Sequence, residues 1–489
     1  MTTPSHSPSP RRWLTLAIVA SALFMICVDM TVLYTALPVL TRELQADADA
    51  KLWIVNIYSL VVAGLLPGLG ALGDRYGHRR LFLSGLALFG GASVAAACAP
   101  SAAWLIVARA LLGLGGATMM PATLAIIRHS FEDAQERSMA IGLWAGIASG
   151  GLALGPVIGG LVLAHFSWGA VFLVNLPVVA AAFALTLWQV PRHPTAGAAS
   201  WDLAGSLLVM AGLFCLVFAI KACAHRPLSL PTLGAALALG VAFFLLFARQ
   251  QRGRTQRLID FSLFRLPGFP AAVAGAGLGT AGIVGLELVL GQHLQLVLGF
   301  SPLQAGLIIL PAPLGSLLAG LVTGRVLRHR AASHVGASGL LLSAGAALCL
   351  AGLPFGAGLT PLLTVLLVLT GAGVGTAATA AASAIMSSAP PERSGMAASL
   401  EEVSFELGGT LGVALFGSLM TIVYVTGMLP QASASLDDAL RLADQLPAEP
   451  GTALRAAGRQ AFTRAFEVVV LGAALLWATT ATCMWRSRR

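Results

Sequence analysis

Fourteen apolar runs, each long enough to cross a bilayer as a helix, follow one another along the chain with short polar breaks between them. They fall at about 13–38, 52–72, 81–99, 102–127, 138–163, 170–190, 203–221, 231–248, 269–290, 302–324, 334–353, 360–386, 398–424 and 464–485. A hydrocarbon core needs about 20 such residues per helical crossing, and inside it every backbone N–H and C=O must be bonded within the segment. Composition agrees: 57% of the 489 residues are apolar and 10% are charged, against about 25% charged in a soluble domain. So few charges cannot cover a water-facing surface of this size, and a soluble enzyme is excluded. The expected fold class is an all-α membrane protein. Residues 1–12, Ser/Pro-rich at their start, read as a disordered N-terminus. The run that follows is too long for a signal peptide and lacks a small-residue cleavage site, so it reads as an uncleaved first span.

The net charge of +9 is explained by topology. With the N-terminus in the cytoplasm, twenty of the 29 Lys and Arg residues fall on the cytoplasmic side, eight on the other, and Arg109 alone within a span. That asymmetry follows the positive-inside rule. It predicts a multi-pass protein of a bacterial-type inner membrane with both termini cytoplasmic, and no nucleic-acid partner is needed. The six cysteines lie in or beside apolar runs without metal spacing, so neither a metal nor a disulfide is implied. The run Gly371-Ala-Gly-Val-Gly375 lies in an apolar span with no strand before it, so it does not read as a dinucleotide site.

The order of features suggests an internal repeat. Asp29 in span 1 corresponds to Glu287 in span 9, and Gly151–Gly155 in span 5 is echoed by Gly408–Gly412 in span 13. Spans 1–6 (13–190) and 9–14 (269–489) therefore read as two related six-helix halves, with two helices and their cytoplasmic linkers inserted between them (191–268). Such repeats, with a site at the midplane between halves, mark alternating-access transporters. A polar stretch at 425–463 looks like an amphipathic hairpin on the outer face, with Leu436, Leu440 and Leu446 on one side, Ser435 as a cap and Pro447 as a stop.

Carboxylates inside a membrane are costly, about 2.5–3.5 kcal/mol each on insertion scales, and are functional by default. The spans hold Asp29, Glu287, Glu401, Glu402 and Glu406 against one base, Arg109. Five acids to one base favours a cation in the cavity and offers places to hold a proton. Glu402 and Glu406 are four apart and share a helix face. Glu401 and Glu402 could instead be solvated at the interface; Glu406, about 16 Å in, ranks first. Asp29 is a cation or proton ligand, or else a structural partner of Thr31. Arg109 is a relay residue, or else a structural partner of a carboxylate. Tyr34, Trp53, Tyr58, Trp144 and Phe405 are candidate aromatic faces for a quaternary cation, or else packing. Gly151, Gly155 and Gly159 make one close-packing stripe and Gly142, Gly146 and Gly150 another.

Four motifs, in order on the right spans, resemble the major facilitator superfamily, and more narrowly its fourteen-helix drug:proton antiporters of the QacA/SmvA multidrug efflux type. The loop after span 2 reads GxLxDRxGxRR at Gly70, Leu72, Asp74, Arg75, Gly77, Arg79 and Arg80, with His78 where Arg or Lys is common. Span 1 reads DxTxxxxALP at Asp29, Thr31, Ala36, Leu37 and Pro38. Span 4 reads RxxxGxGGA at Arg109, Gly113, Gly115, Gly116 and Ala117. Span 5 reads GxxxGPxxGG at Gly151, Gly155, Pro156, Gly159 and Gly160. The resemblance implies the major facilitator fold and proton-driven export of lipophilic cations, such as quaternary ammonium antiseptics and dyes, by a protein without cofactors and expected to be a monomer. It favours Glu401 and Glu406 among the carboxylates of span 13. The loop motif reads as a conformational latch, with Asp74 on a helix N-terminus and Arg75, Arg79 and Arg80 facing Glu132, Asp133 or Glu136. The rival readings are an exporter of a single metabolite, an uptake symporter, and a membrane-embedded enzyme acting on lipid-linked substrates.

Overall fold

The computed structural model describes residues 10–131, 133–190, 202–223, 229–252, 254, 261–352, 361–388, 394–428 and 435–486. In chain order the helices are α1 (Pro10–Glu43), α2 (Ala48–Tyr76), α3 (His78–Ala97), α4 (Ala102–Ser130), α5 (Ala134–His165), α6 (Ala170–Leu173), α7 (Asn175–Gln189), α8 (Leu203–Ala222) and α9 (Leu230–Arg252). After a 3-10 turn at Phe261–Arg265 come α10 (Phe269–Gln292), α11 (Pro302–Ile309), α12 (Pro311–Val326), α13 (Ala332–Ala351), α14 (Pro361–Ser388), α15 (Ser394–Gly427), α16 (Leu436–Gln445) and α17 (Ala448–Arg486). Fourteen helical stretches among the described residues are long and apolar enough to cross a membrane. Fourteen crossings return the chain to its starting side, which defines a terminus-bearing end and a far end of the bundle.

Polar side chains at the breaks set where the helices start. Asp47 accepts from Ala50 N at 2.7 Å, Asp133 from Glu136 N at 2.9 Å and Asp202 from Gly205 N at 2.8 Å; each satisfies a donor that the first helical turn leaves over. Between α2 and α3 the chain turns on one residue, Gly77, whose φ of +95° is costly for any residue with a Cβ. This is what the central glycine of the loop motif supplies. The first helix begins at Pro10, so residues 10–12 are helical, where disorder was expected, and Arg12 is held by Glu136 at 2.6 Å. The expected disorder of 1–9 and the linkers at 191–201 and 255–260 lie outside the described residues.

Packing gathers the helices into two groups. One buried cluster is built almost wholly from α1–α7, and a second from α10–α17. The inserted α8 seats Val209, Leu213 and Val217 on Leu60 and Ala63 of α2 and Ala414 of α15. Outside it, α9 leaves most of its apolar side chains exposed.

The span-1 and span-5 motifs explain each other at the α1–α5 contact. A Cβ on Gly151 would lie 2.7 Å from the Phe24 carbonyl oxygen, one on Gly155 would strike Thr31, and one on Gly159 would lie 2.8 Å from Val32. The glycines let the two backbones touch, as close helix pairs in lipid require. Pro156 has no N–H, so the Leu152 carbonyl loses its helical donor; the Thr31 hydroxyl donates to that oxygen at 3.1 Å. Thr31→Val should therefore leave a part-buried carbonyl in an apolar span unpaired, at a cost of about 1–3 kcal/mol. Thermal melting of the detergent-solubilised protein should show the loss, with Thr31→Ser close to wild type.

The two groups meet mainly toward the far end. Gly160 packs on Leu303, Gly306 on Pro156 and Gly417 on Leu52, while Gln295 donates to the Thr35 carbonyl at 3.1 Å. Toward the terminus-bearing end the described residues of the two groups part. Gly146 and Gly150 were expected to form a second packing stripe, yet nothing lies within 4 Å of a Cβ on either. At 100° per residue they share a face with Val157 and Gly160, which touch α11. The face of α5 that meets the other half near 157–160 therefore has no described residue close against it at Gly146 and Gly150. The surroundings of Gly142 lie outside the described residues.

The outer segment 425–463 also differs in detail from the sequence expectation. α16 is the expected amphipathic helix, capped by Ser435 on Asp438 N at 3.2 Å, but Leu446 lies beyond its end and is exposed. The last helix then begins at Ala448 rather than near 464. The hairpin is thus α16 folded against the polar, water-compatible start of α17.

Candidate functional site

An ionic pair lies at the centre of the α1–α7 group. Arg109 of α4 and Asp29 of α1 are each 1% exposed, and Arg109 Nη1 meets Asp29 Oδ2 at 2.6 Å. A buried pair persists only when its remaining donors and acceptors are also met. Here Asn175 of α7 donates to Asp29 Oδ1 at 3.0 Å and to Ser93 Oγ at 3.1 Å, while Arg109 Nε donates to the Ile54 carbonyl at 3.3 Å. The guanidinium also lies 4.6 Å from the centre of the Tyr58 ring, a cation–π contact. The span-4 glycines build this arrangement: a Cβ on Gly113 or Gly116 would lie 2.6 or 2.7 Å from Tyr58, and one on Gly115 would lie 3.0 Å from Phe89. They admit α2 and α3 against α4. Thr31 makes no bond to Asp29, since its hydroxyl serves Cys27 O and Leu152 O. Arg109 thus has a carboxylate partner.

Across the interface, α15 brings Glu406 up to this pair. Glu406 is 5% exposed; Ser59 of α2 hydrogen-bonds its carboxyl, and its Oε2 has no partner among the described residues. It is close enough to act electrostatically on Tyr58, Tyr34 and Cys27. Glu402, one turn nearer the terminus-bearing end, is half-buried and acts on Glu406 and on Cys27; Glu401 is half-buried beside it. Glu287 of α10 is half-buried and faces Tyr34 electrostatically. The structure therefore brings together Asp29, Arg109, Tyr34, Tyr58, Glu287, Glu402 and Glu406. The asymmetry among the acids matters: Asp29 is neutralised by Arg109, whereas among the described residues no cation pairs with Glu406.

Three of the candidate aromatic faces are engaged elsewhere. Trp53 stacks on Phe214 of α8 at 4.6 Å and carries Lys221 Nζ 4.3 Å from its ring centre. Trp144 donates to Thr123 Oγ1 of α4 at 3.1 Å, on the opposite face of α5 from Gly146 and Gly150. Phe405 packs into the cluster around Leu263, Phe269 and Ala272. Each is a large apolar ring at a helix–helix contact, where burial stabilises it.

Among the described residues the loop motif makes contacts other than the expected pairs with Asp133 and Glu136. Arg79 donates to the carbonyls of Thr186 at 3.3 Å and Leu187 at 2.7 Å, at the C-terminal end of α7, where helix geometry and dipole favour a cation. Glu136 pairs with Arg12, and Asp133 caps α5. Arg75 lies over the neighbouring Tyr76 ring at 5.3 Å, and Arg80 is exposed. The side chains of Asp74 and Glu132 and the surroundings of Gly70 lie outside the described residues.

Two buried cations escaped the sequence reading. Lys221 of α8, with a side chain 2% exposed, binds Asp49 at 3.2 Å and its carbonyl at 2.9 Å. Lys51 of α2 binds Asp437 of α16 at 2.7 Å, with side chains 10% and 9% exposed. Arg441 of α16 adds a bond to the Thr41 carbonyl of α1 at 3.0 Å. Together Lys51 and Arg441 fasten α16 over the far ends of α1 and α2.

Comparison with known proteins agrees with this architecture. A family model described as Major Facilitator Superfamily matches residues 19–289 and 281–429. The chain is 37% identical over 493 aligned residues to the methyl viologen resistance protein SmvA of Salmonella typhimurium, covering 98% of each chain. It is 37% identical over 485 residues to the multidrug efflux pump LfrA of Mycolicibacterium smegmatis, covering 97% of this chain and 96% of that one. It is 35% identical over 426 residues to a tetracenomycin C resistance and export protein of Streptomyces glaucescens, covering 86% and 78%. A solved bacterial homologue of the human lysosomal transporter Spinster, in an inward-facing and unoccupied conformation, shares the fold over 99% of both chains, with a TM-score of 0.68 at 17% identity. A multi-pass helical chain with these relatives is a transporter and no enzyme: it belongs to the major facilitator superfamily.

Proposed function

We propose that the chain is a proton-coupled efflux pump for lipophilic cations, caught with its cavity open at the terminus-bearing end, and that this end is cytoplasmic. The observation that carries the reading is Glu406: a buried carboxylate with an unpartnered oxygen, at the meeting of the two halves, beside an Asp29 already neutralised by Arg109. A site with surplus acid attracts cations and repels anions. One carboxylate that takes either a proton or a cation couples the two without further machinery. Basic residues concentrated at the terminus-bearing side support the orientation. The methyl viologen resistance relative supports a cationic substrate. The test is transport in proteoliposomes with an imposed pH gradient. Methyl viologen and quaternary ammonium compounds should move against their gradient, and anionic drugs should not; equal transport of an anionic panel would rule out the cation reading.

A second reading, export of one metabolite, is supported by the tetracenomycin C relative. The same panel separates the two, because a dedicated exporter would ignore structurally unrelated cations.

Alternating access requires the far end to open, so the Lys51–Asp437 pair must part in each cycle. Asp437→Asn should shift the population toward the far-open state by at least about fivefold, since a pair with side chains 10% and 9% exposed contributes no less than the ~1 kcal/mol upper range of a surface pair. Maleimide labelling of Leu52→Cys, in a background lacking the six native cysteines, should accelerate accordingly. Unchanged labelling would mean the pair does not hold the far end shut.

A further inference from the structure

The inserted helices carry a polar site apart from the Asp29–Glu406 cluster. Where α9 ends and the 3-10 turn follows, Ala248, Gln251, Arg252, Phe261, Ser262 and Arg265 line a cavity of about 370 Å³. Both arginines are exposed, and neither has a hydrogen bond or ion pair among the described residues. The carboxylate that Gln251 holds, Asp202, is 4% exposed and is occupied by Gly205 N at 2.8 Å, Gln250 at 3.0 Å, Gln251 at 2.5 Å and Arg254 at 3.2 Å. Among the described residues, the charge left on the cavity wall is positive.

The same wall continues into lipid. At 100° per residue Arg252, Ala248, Leu245 and Val241 share one face of α9, and Leu245 and Val241 are 64% and 56% exposed. A cationic cavity at the end of a membrane span, continued along the helix by an apolar stripe, is complementary to an amphiphile with an anionic head. We propose that this cavity binds the phosphate-bearing headgroup of an anionic phospholipid from the leaflet at the terminus-bearing end, with its acyl chains along the 241–248 face of α9. Two guanidinium forks suit phosphate oxygens, and basic pockets at this depth hold anionic headgroups. The lipid would brace α9, whose protein contacts are mainly with α8, against the bundle.

Native mass spectrometry of the full-length protein in detergent tests this directly. The protein is titrated with phosphatidylglycerol, with phosphatidylcholine of the same chains, or with glycerol 1-phosphate. Phosphatidylglycerol should be retained preferentially. Arg252→Gln with Arg265→Gln should weaken it about thirtyfold, about fivefold per basic residue, while Arg252→Lys with Arg265→Lys should keep most of it. Arg330→Gln, an exposed basic residue at the same end, should leave it unchanged. The proposal is overturned if the glutamine pair binds phosphatidylglycerol as wild type does, if Arg330→Gln weakens it equally, or if phosphatidylcholine binds as well. Competition by glycerol 1-phosphate at the affinity of the lipid would instead identify a soluble phosphate as the ligand and refute the lipid reading.

Discussion

Glu406→Gln should abolish pH-gradient-driven export while leaving the protein folded. Glutamine keeps the shape and the hydrogen bond to Ser59 but can neither carry a charge nor exchange a proton. In a drug-sensitive host, protection against lipophilic cations should fall to that of cells without the protein. Losing one charge-assisted contact costs roughly 1.5–3 kcal/mol, so cation affinity should drop on the order of tenfold to a hundredfold. The sign of the pH effect is fixed by the competition. In the wild type the carboxylate is charged at high pH and neutral at low pH, so cation binding strengthens as pH rises. In Glu406→Gln that slope should flatten. Export at the wild-type rate, with an unchanged binding–pH curve, would move the proton to Glu287, Glu401 or Glu402.

The second large effect is on stability. Arg109→Leu strands the Asp29 carboxylate, which is 1% exposed, and breaking a buried pair from one side costs about 3–5 kcal/mol. The variant should melt well below wild type in detergent, measured by the loss of monodisperse protein on heating. Adding Asp29→Asn removes the stranded charge, so the double variant should recover most of the loss; two contacting residues should couple in such a cycle. Asn175 and Tyr58 still face the altered pair, which keeps the helices in place. A double variant no more stable than Arg109→Leu alone would show that the cost lies in packing of the long side chain and not in the charge.

Hydropathy made the spans legible, because a helix surrounded by lipid must be apolar for its whole crossing whatever its neighbours are. The glycine motifs were also legible as packing, since Gly151, Gly155 and Gly159 recur at the spacing of one helix face and α1 lies along that face. Partners were harder to read. Asp29 and Arg109 are 80 residues apart, and nothing local in either span says which of five acids the single base will take. Asn175 was missed, although a lone amide in an apolar span is itself a signal, because it needs a polar partner there. Lys51 and Lys221 lie where apolar runs end, so they read as solvated loop residues; α16 and the first turn of α2 bury them. The same reasoning applies to Gly146 and Gly150. Sequence spacing shows that they share a face, but not that the halves have parted there.

Proton release on substrate binding tests the coupling most directly. Purified protein in weakly buffered detergent, near the pH where Glu406 titrates, is mixed with methyl viologen or a quaternary ammonium compound while a pH dye is followed. If cation and proton compete for Glu406, the wild type should release a proton as the cation binds, in an amount that saturates with the binding signal, and Glu406→Gln should release none. Binding without proton release in the wild type, or equal release from Glu406→Gln, would contradict competition at this carboxylate.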